Sequence, residues 1–153
     1  MLPKIKARLA NDDDCEEILI WRNDPLTRKS FFNSDLVKKS EHSKWFANVQ
    51  ESNNSLIVIL TLSQERIGMV RYDSAVKSTL VSINTNPMKR GMGNSSQILV
   101  QSEVFLKNNI YFFPLLVANI LKDNELSIKV FKRAGYQLES ENNNYYKYIK
   151  KLK

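Results

Sequence analysis

Cysteine is all but missing from this sequence: Cys15 is the only one in 153 residues, and His42 is the only histidine. A lone thiol closes no internal disulfide, and with a single imidazole it makes no zinc site of the usual ligand types, so no metal is expected. Glycine and proline are sparse, four of each, and no Gly/Ser-rich linker or low-complexity tract divides the chain. Long hydrophobic runs are missing too. The longest nearly charge-free apolar stretch, residues 110–121, contains Pro114 and Asn119 and is too short to span a bilayer. The opening Met-Leu-Pro-Lys-Ile-Lys has charge but no apolar core, so it does not read as a secretory signal. These absences exclude a disulfide miniprotein and a membrane span, and 42% hydrophobic residues exclude a disordered tail. The expectation is a single cytoplasmic domain over residues 1–153, long enough to bury roughly 70% of its unfolded surface, with no membrane partner.

What the chain has in excess is positive charge, a formal +7. Lys147, Lys150, Lys151 and Lys153 lie within the last seven residues, and without them only +3 remains. That distribution reads as a solvated, solubilising end. A nucleic-acid-binding module is the rival from another class, suggested by the charge and by Tyr145, Tyr146 and Tyr148, and it predicts steep salt dependence. Alternation in a last strand accounts for the tyrosines more simply, and no nucleic-acid partner is expected.

Residues 4–9 alternate polar and apolar as a half-buried strand does. Asn11-Asp12-Asp13-Asp14 supplies capping residues, with Asp13 and Glu16 spaced as a carboxylate capping box. Cys15, Ile18, Leu19 and Trp21 give a helical stripe that Asn23-Asp24-Pro25 ends, and a loop runs on through Asn33-Ser34. Ser40 is the expected cap of a second helix with Trp45, Phe46 and Val49 on its apolar face. Three strand-like runs follow, Ser55–Leu62, Arg66–Asp73 and Ser78–Thr85, with breaks short enough for an antiparallel meander. A glycine-bearing loop leads to a helix with Ile98, Leu99, Ser102, Phe105 and Leu106 on one face. Residues 110–120 read as a buried strand. Asp123 or Asn124 caps a last helix through Ala134, with Gly135 as its left-handed terminator. Tyr136–Leu138 and Tyr145–Ile149 read as a closing hairpin. The order defines an α+β fold with a mixed, mostly antiparallel sheet.

The stretch Lys89-Arg90-Gly91-Met92-Gly93-Asn94-Ser95 joins a strand ending at Thr85 to a helix opening near Ser95. Such a junction offers unpartnered backbone N–H groups and the positive end of a helix to an anion. Gly91 and Gly93 allow close backbone approach, and Lys89 and Arg90 add charge for a diphosphate. It is not a Walker loop, having no Gly-Lys-Ser/Thr, and a third glycine at Rossmann spacing is lacking. A Gly-x-Gly pair is also often only a turn.

About thirty residues later stands Asn124-Glu125-Leu126-Ser127, then an apolar helix, then Gly135-Tyr136. Together with Arg90-Gly91-Met92-Gly93-Asn94-Ser95 this resembles the GNAT superfamily of acetyl-CoA-dependent N-acetyltransferases, and the element order agrees over almost the whole chain. The resemblance implies a central sheet of about seven strands flanked by about four helices, with acetyl-CoA as co-substrate. It implies donor contacts from Ile83, Asn84 and Thr85 to the pantetheine arm, one of those amides holding the thioester carbonyl. Arg90, Gly91, Met92, Gly93, Asn94, Ser95 and Asn124 would hold the rest of the donor. Ser95 stands where the family usually has Gly or Ala. Phe131 stands where many members carry the tyrosine that protonates the departing thiolate, which leaves Ser127 as the candidate donor, or as a serine that merely bonds backbone.

The N-terminal third faces the acceptor in this family. Here Trp21-Arg22-Asn23 is followed about twenty residues later by His42 and Trp45-Phe46. That pattern is similar to a branch acetylating nucleotide-linked amino-deoxy sugars, of the pseudaminic, legionaminic or O-antigen type, which would make a nucleotide sugar the second substrate. It is also similar to N-terminal peptide, ribosomal-protein and other small-amine acetyltransferases. Arg22 and Arg28 suit a diphosphate, or pair with Asp24 or Asp35. Asn23 and Tyr72 are further candidates for the acceptor cleft, with Asn84 offering its amide. His42 is a substrate contact or base, or a satisfied core histidine. Trp21 reads as core and Glu41 as solvated. A homodimer through the terminal hairpin, and a donor-binding sensor without turnover, are open alternatives.

Overall fold

The computed structural model of the chain describes residues 2–109 and 112–153. The elements run β1 (Lys6–Leu9), α1 (Cys15–Asn23), α2 (Pro25–Arg28), α3 (Lys39–Glu51), β2 (Ser55–Leu62), β3 (Glu65–Ala75) and β4 (Ser78–Thr85). After them come α4 (Ser95–Asn109), β5 (Leu115–Leu121), α5 (Glu125–Arg133), β6 (Gln137–Glu141) and β7 (Tyr145–Lys151). All seven strands form one sheet in the order β1-β2-β3-β4-β5-β7-β6. Neighbours are antiparallel except β4 and β5.

Strand alternation divides the core in two. Val58, Leu60, Val70, Tyr72 and Val81 point to one face and pack under α4 and α5 against Ile98, Leu99, Leu106 and Phe131. Ile57, Ile59 and Met69 point to the other, onto Ile18 and Trp21 of α1 and Phe46 and Val49 of α3. Gly68 faces α4 so closely that a Cβ there would lie 3.0 Å from Ile98 Cδ1 and 3.2 Å from Asn84 O.

The start of α1 is fixed by charge. Asp14 is fully buried and accepts two bonds from Arg8 (2.7 and 2.8 Å), one from Arg66 Nε (2.6 Å) and one from Asn11 N–H (2.8 Å). Burial pushes its carboxyl up, but the Arg8, Asn11 and Arg66 hydrogen bonds outweigh that and hold it at about 2. A folded-state value below the unfolded one stabilises the fold above the unfolded pKa, and this is lost as pH falls through the folded value. Urea denaturation between pH 5 and pH 2 should therefore show about 2 kcal/mol less stability at the acid end from this group. The Asp14→Asn variant should be weaker throughout and lack that slope, and an unchanged slope would exclude this assignment.

Several local expectations shift. The capping box belongs to Asn11 and Asp14, not Asp13 and Glu16, because a single 3-10 turn at Asp12–Asp14 precedes α1. α3 opens at Lys39 behind Lys38 with no side-chain cap, so Ser40 is already inside the helix. The strand expected over 110–120 begins at Leu115, since residues 112–114 are irregular and 110–111 lie outside the described residues. The short α2 sits in the segment read as loop, and β6 runs on to Glu141. Gly135, at φ +98°, ends α5 as expected. The terminal lysines are not a tail: Lys147, Lys150 and Lys151 lie in β7, and Lys150 reaches buried Glu103 at 2.6 Å.

Candidate functional site

β4 and β5 pair only at Thr79–Leu116 and Leu80–Val117. Beyond that point an opening of about 280 Å³ lies between them, with Val81, Ser82 and Ile83 on one wall and Ala118, Asn119 and Ile120 on the other. Asn86 N–H donates to Ile67 O at 2.9 Å. Antiparallel hydrogen bonding alternates, so the backbone groups of Asn84 and Ser82 point at β3, and those of Ile83 and Thr85 point away from it into the opening. Of the three backbone positions expected to meet the donor, Asn84 is thus the exception. Its side chain, 7% exposed, goes to the α1–α3 face with Met69 and Arg71.

At the end of β4 the chain turns through Pro87–Lys89 and the glycine loop into α4. Gly91 and Gly93 have φ of +77° and +73°, a region that L side chains enter only at a cost. Among the described residues no atom beyond the chain neighbours lies within 4 Å of where either Cβ would be, so conformation and not crowding demands glycine there. The first bond of α4 runs from Ile98 N–H to Asn94 O (2.9 Å), leaving the N–H groups of Ser95, Ser96 and Gln97 without partners inside the helix. Ser95 Oγ lies 3.3 Å from Thr85 Oγ1, tying the helix start to the strand end. Met92 and both glycines are exposed. Arg90 turns away from the loop, donating from Nη2 to Asp24 and, at 2.7 Å, to Thr27 Oγ1. Asn124 and Ser127 line the far wall of the opening, where Asn124 Oδ1 accepts Ser127 N–H at 3.2 Å and caps α5. Phe131 is locked in the core, edge-on to Tyr136 at 4.9 Å.

A second cavity of about 370 Å³ lies beneath α1 and α3 and shares Phe31, Arg71, Ser82 and Ile83 with the opening. Ile18, Val37, Trp45 and Met69 give it apolar walls, while Arg22, Glu41, His42 and Asn84 supply its polar groups. His42 Nε2 is 2.7 Å from the carbonyl of Cys15. A carbonyl only accepts, so Nε2 carries the proton and Nδ1 is the ring's free acceptor. Burial lowers the basicity of His42 more than the Cys15 bond raises it, which keeps the ring neutral at pH 7. Arg71 lies over the Trp45 ring at 5.2 Å and is held by Asp73 at 2.9 Å. Arg71, Trp45, Phe31 and Glu41 were not among the expected contacts. The signal for Arg71 was its even spacing from Met69 along β3.

Tyr72 is a correction. Its neighbours Arg71 and Asp73 alternate to the cavity side, whereas Tyr72 is 0% exposed beneath α4 with its hydroxyl 2.6 Å from Ser102 Oγ. Burial pushes the phenol up, and the ring is core. Asn23 is also engaged elsewhere: its amide donates to Val37 O (2.9 Å) and accepts Val37 N–H (2.8 Å), clamping the loop between α2 and α3. Arg22 Nη2 donates to Asn33 O at 2.7 Å in the same loop, and its guanidinium lies 4.0 Å over Phe31. Arg28 donates to Ser34 O at 3.4 Å. Neither arginine pairs with a carboxylate among the described residues, and each keeps a buried nitrogen without a partner, Arg22 Nη1 and Arg28 Nε. The pairing with Asp24 or Asp35 weighed from the sequence is not made. Trp21, 1% exposed, is core as read.

A splayed β4–β5 pair, a glycine loop at the positive end of α4 and a second cavity beneath α1 and α3 make up the candidate site. The chain belongs to the GNAT acetyltransferase family: the family model described as "Acetyltransferase (GNAT) domain" matches residues 7–151. It is 27% identical over 96 residues to an uncharacterized N-acetyltransferase of Bacillus subtilis, YfmK, covering 63% of this chain and 64% of that protein. It is 21% identical over 137 residues to the acetyltransferase PseH of Campylobacter jejuni, 89% of this chain and 85% of that protein. Its fold is that of the spermidine N-acetyltransferase of Vibrio cholerae, a structure in complex with CoA and spermine, with TM-score 0.81, 13% identity and coverage of 95% and 93%. The protein is accordingly an acyltransferase of the GNAT type with acetyl-CoA as donor. The opening fits that donor: unpaired strand backbone for an extended arm, and free N–H groups at α4 for a diphosphate. Among the described residues no group of His, Cys, Asp and Glu converges as a metal site, and no helix is long and apolar enough to cross a membrane.

Proposed function

We propose that the protein acetylates the amino group of an acceptor that also carries an acidic group, a nucleotide-linked amino-deoxy sugar of glycan biosynthesis. The observation that carries this reading is the pair Arg22 and Arg28. Arg22 has its basicity lowered by burial and then by the nearby charge of Arg28, with no carboxylate to offset either among the described residues. Two part-buried guanidiniums with orphaned N–H groups are costly unless an oxyanion joins them. The Trp21-Arg22-Asn23 and His42 pattern, which resembles the branch acting on nucleotide-linked amino sugars, supports the same reading. Polyamines and aminoglycosides are cations and need acidic walls, and Glu41 is the one carboxylate lining this cavity among the described residues.

Within that reading each residue has a task. The bound donor supplies an acetyl thioester. Backbone N–H groups of Ile83 and Thr85 face its arm and stabilise negative charge on the thioester oxygen. Asn84 and His42 orient the acceptor amine, and His42 Nδ1 takes its proton directly or through water. Ser127 donates a hydrogen bond to the departing sulfur. A thiol of pKa about 8.5 leaves readily as thiolate, so a serine hydroxyl suffices where Phe131 has replaced an acid. Thiol release from acetyl-CoA, tested against UDP- and dTDP-linked 4-amino sugars, polyamines, aminoglycosides and short peptides, decides the acceptor. Turnover with a nucleotide sugar is expected. Turnover confined to peptides or polyamines would reject the acidic acceptor while leaving the donor chemistry intact.

A further inference from the structure

Arg22 and Asn23 fasten the loop between α2 and α3, and the next residue, Asp24, fastens the donor loop. Asp24 both ends α1 and caps α2, accepting Thr27 N–H at 3.1 Å and the Thr27 hydroxyl at 3.3 Å. The same carboxylate accepts Arg90 Nη2, which also donates to Thr27 Oγ1 at 2.7 Å. The other cation of the donor loop, Lys89, is likewise held from outside, by Glu65. Both positive side chains beside the α4 terminus are therefore neutralised by carboxylates, one from β3 and one from the α1–α2 corner. A diphosphate arriving at that terminus competes with Asp24 for the fork of Arg90.

We propose that Asp24 is a positioning residue for donor binding: its carboxylate holds Arg90 against α2 as an internal substitute for the donor's diphosphate, which takes Arg90 from it. Because Asp24 follows Arg22 and Asn23 directly, release of Arg90 at the donor loop acts on the same corner that clamps Asn33 and Val37 beside the acceptor cavity. The inference rests on acetyl-CoA as donor and is independent of which amine accepts.

Calorimetric titration tests it with CoA and, as a ligand without diphosphate, S-acetylpantetheine. Asp24→Asn keeps a good helix cap and removes the charge. The pair is part-exposed, with side chains 32% and 21% accessible, so the variant should bind CoA roughly fivefold tighter at low salt, the gain shrinking as salt rises. Binding of S-acetylpantetheine should not change. Arg90→Gln should weaken CoA, and adding Asp24→Asn to it should give no further gain. Unchanged or weaker CoA binding by Asp24→Asn overturns the proposal. So does an equal gain for S-acetylpantetheine, or a gain that survives in the Arg90→Gln background.

Discussion

Replacing Lys150 by Met should cost about 3–5 kcal/mol of folding free energy, the usual cost of stripping one partner from a buried ion pair. Glu103, on α4, is 3% exposed and accepts from Lys150 Nζ at 2.6 Å and from Tyr136 O–H at 2.8 Å. Lys150 also donates to Ala134 O at 2.6 Å, so one ammonium joins α4, the end of α5 and β7. Burial already pushes the Glu103 carboxyl up, and the Lys150 and Tyr136 bonds pull it back only in part. Without Lys150 the carboxyl rises further. A folded-state pKa above the unfolded one means stability is greatest below the unfolded pKa and is lost as pH rises through the folded one. Urea denaturation of Lys150→Met should therefore show a larger deficit at pH 8 than at pH 5. The triple variant Glu103→Leu, Tyr136→Phe, Lys150→Met should regain most of the loss, since no buried charge or hydroxyl is then unpaired. A loss below 1 kcal/mol in the single variant would show that water reaches Glu103.

That network sits directly behind the donor opening. Tyr136, whose hydroxyl Glu103 receives, also presents its ring to the edge of Phe131, which lines the opening beside Ser127. Gly135 and Tyr136 therefore serve the site through packing: they seat α5 so that Asn124 and Ser127 face the divergence of β4 from β5. Phe131, buried and packed edge-on with Tyr136, is part of that seat.

The glycine loop and the strand and helix that flank it were legible because local chemistry dictates them. Gly91 and Gly93 announce positive φ, the alternation ending at Thr85 announces the strand, and Ile98, Leu99, Ser102 and Leu106 announce the helix whose first amides are free. The divergence of β4 and β5 was not legible in composition or period. It depends on β5 pairing with β7 along its full length while meeting β4 at two positions, a choice made across the sheet. On the acceptor side the errors came from faces. Tyr72 and Arg71 occupy opposite faces of β3, and Gly68, a residue without a side chain where α4 presses on the sheet, was the clue that even positions of β3 go inward to α4. Lys150 was read by charge alone. Its spacing from Tyr146 and Tyr148 puts it on the core face of β7. Glu103, four residues after Leu99 and three before Leu106, stands on the buried stripe of α4, and the two had to meet. The clamp that engages Asn23 is invisible in the sequence, because its backbone partner, Val37, is fourteen residues away across a loop that no period describes.

Loss of the Arg22 guanidinium should reduce kcat/KM for an acidic acceptor by about 10- to 100-fold, the range expected for a hydrogen bond to a charged group. Arg22 has two jobs that the measurement can separate. Nη2 holds Asn33 O, and the stacked plane packs Phe31 between the two cavities, whereas Nη1 is buried with no hydrogen-bond partner among the described residues. Arg22→Lys retains charge but lacks the fork needed to hold the loop and an oxyanion together. Arg22→Met retains bulk over Phe31 and lacks charge. If Nη1 meets the acceptor's acidic group in ground state and transition state alike, Arg22→Met raises KM for that acceptor and leaves kcat nearly unchanged. Turnover of an uncharged test amine should then be little affected, and the KM for acetyl-CoA should hold. A fall in kcat for every amine, charged or not, would mean that Arg22 serves only to hold Phe31 and the loop in place. The acidic group would then have to be sought at Arg71, a cation that lines both the α1–α3 cavity and the β4–β5 opening.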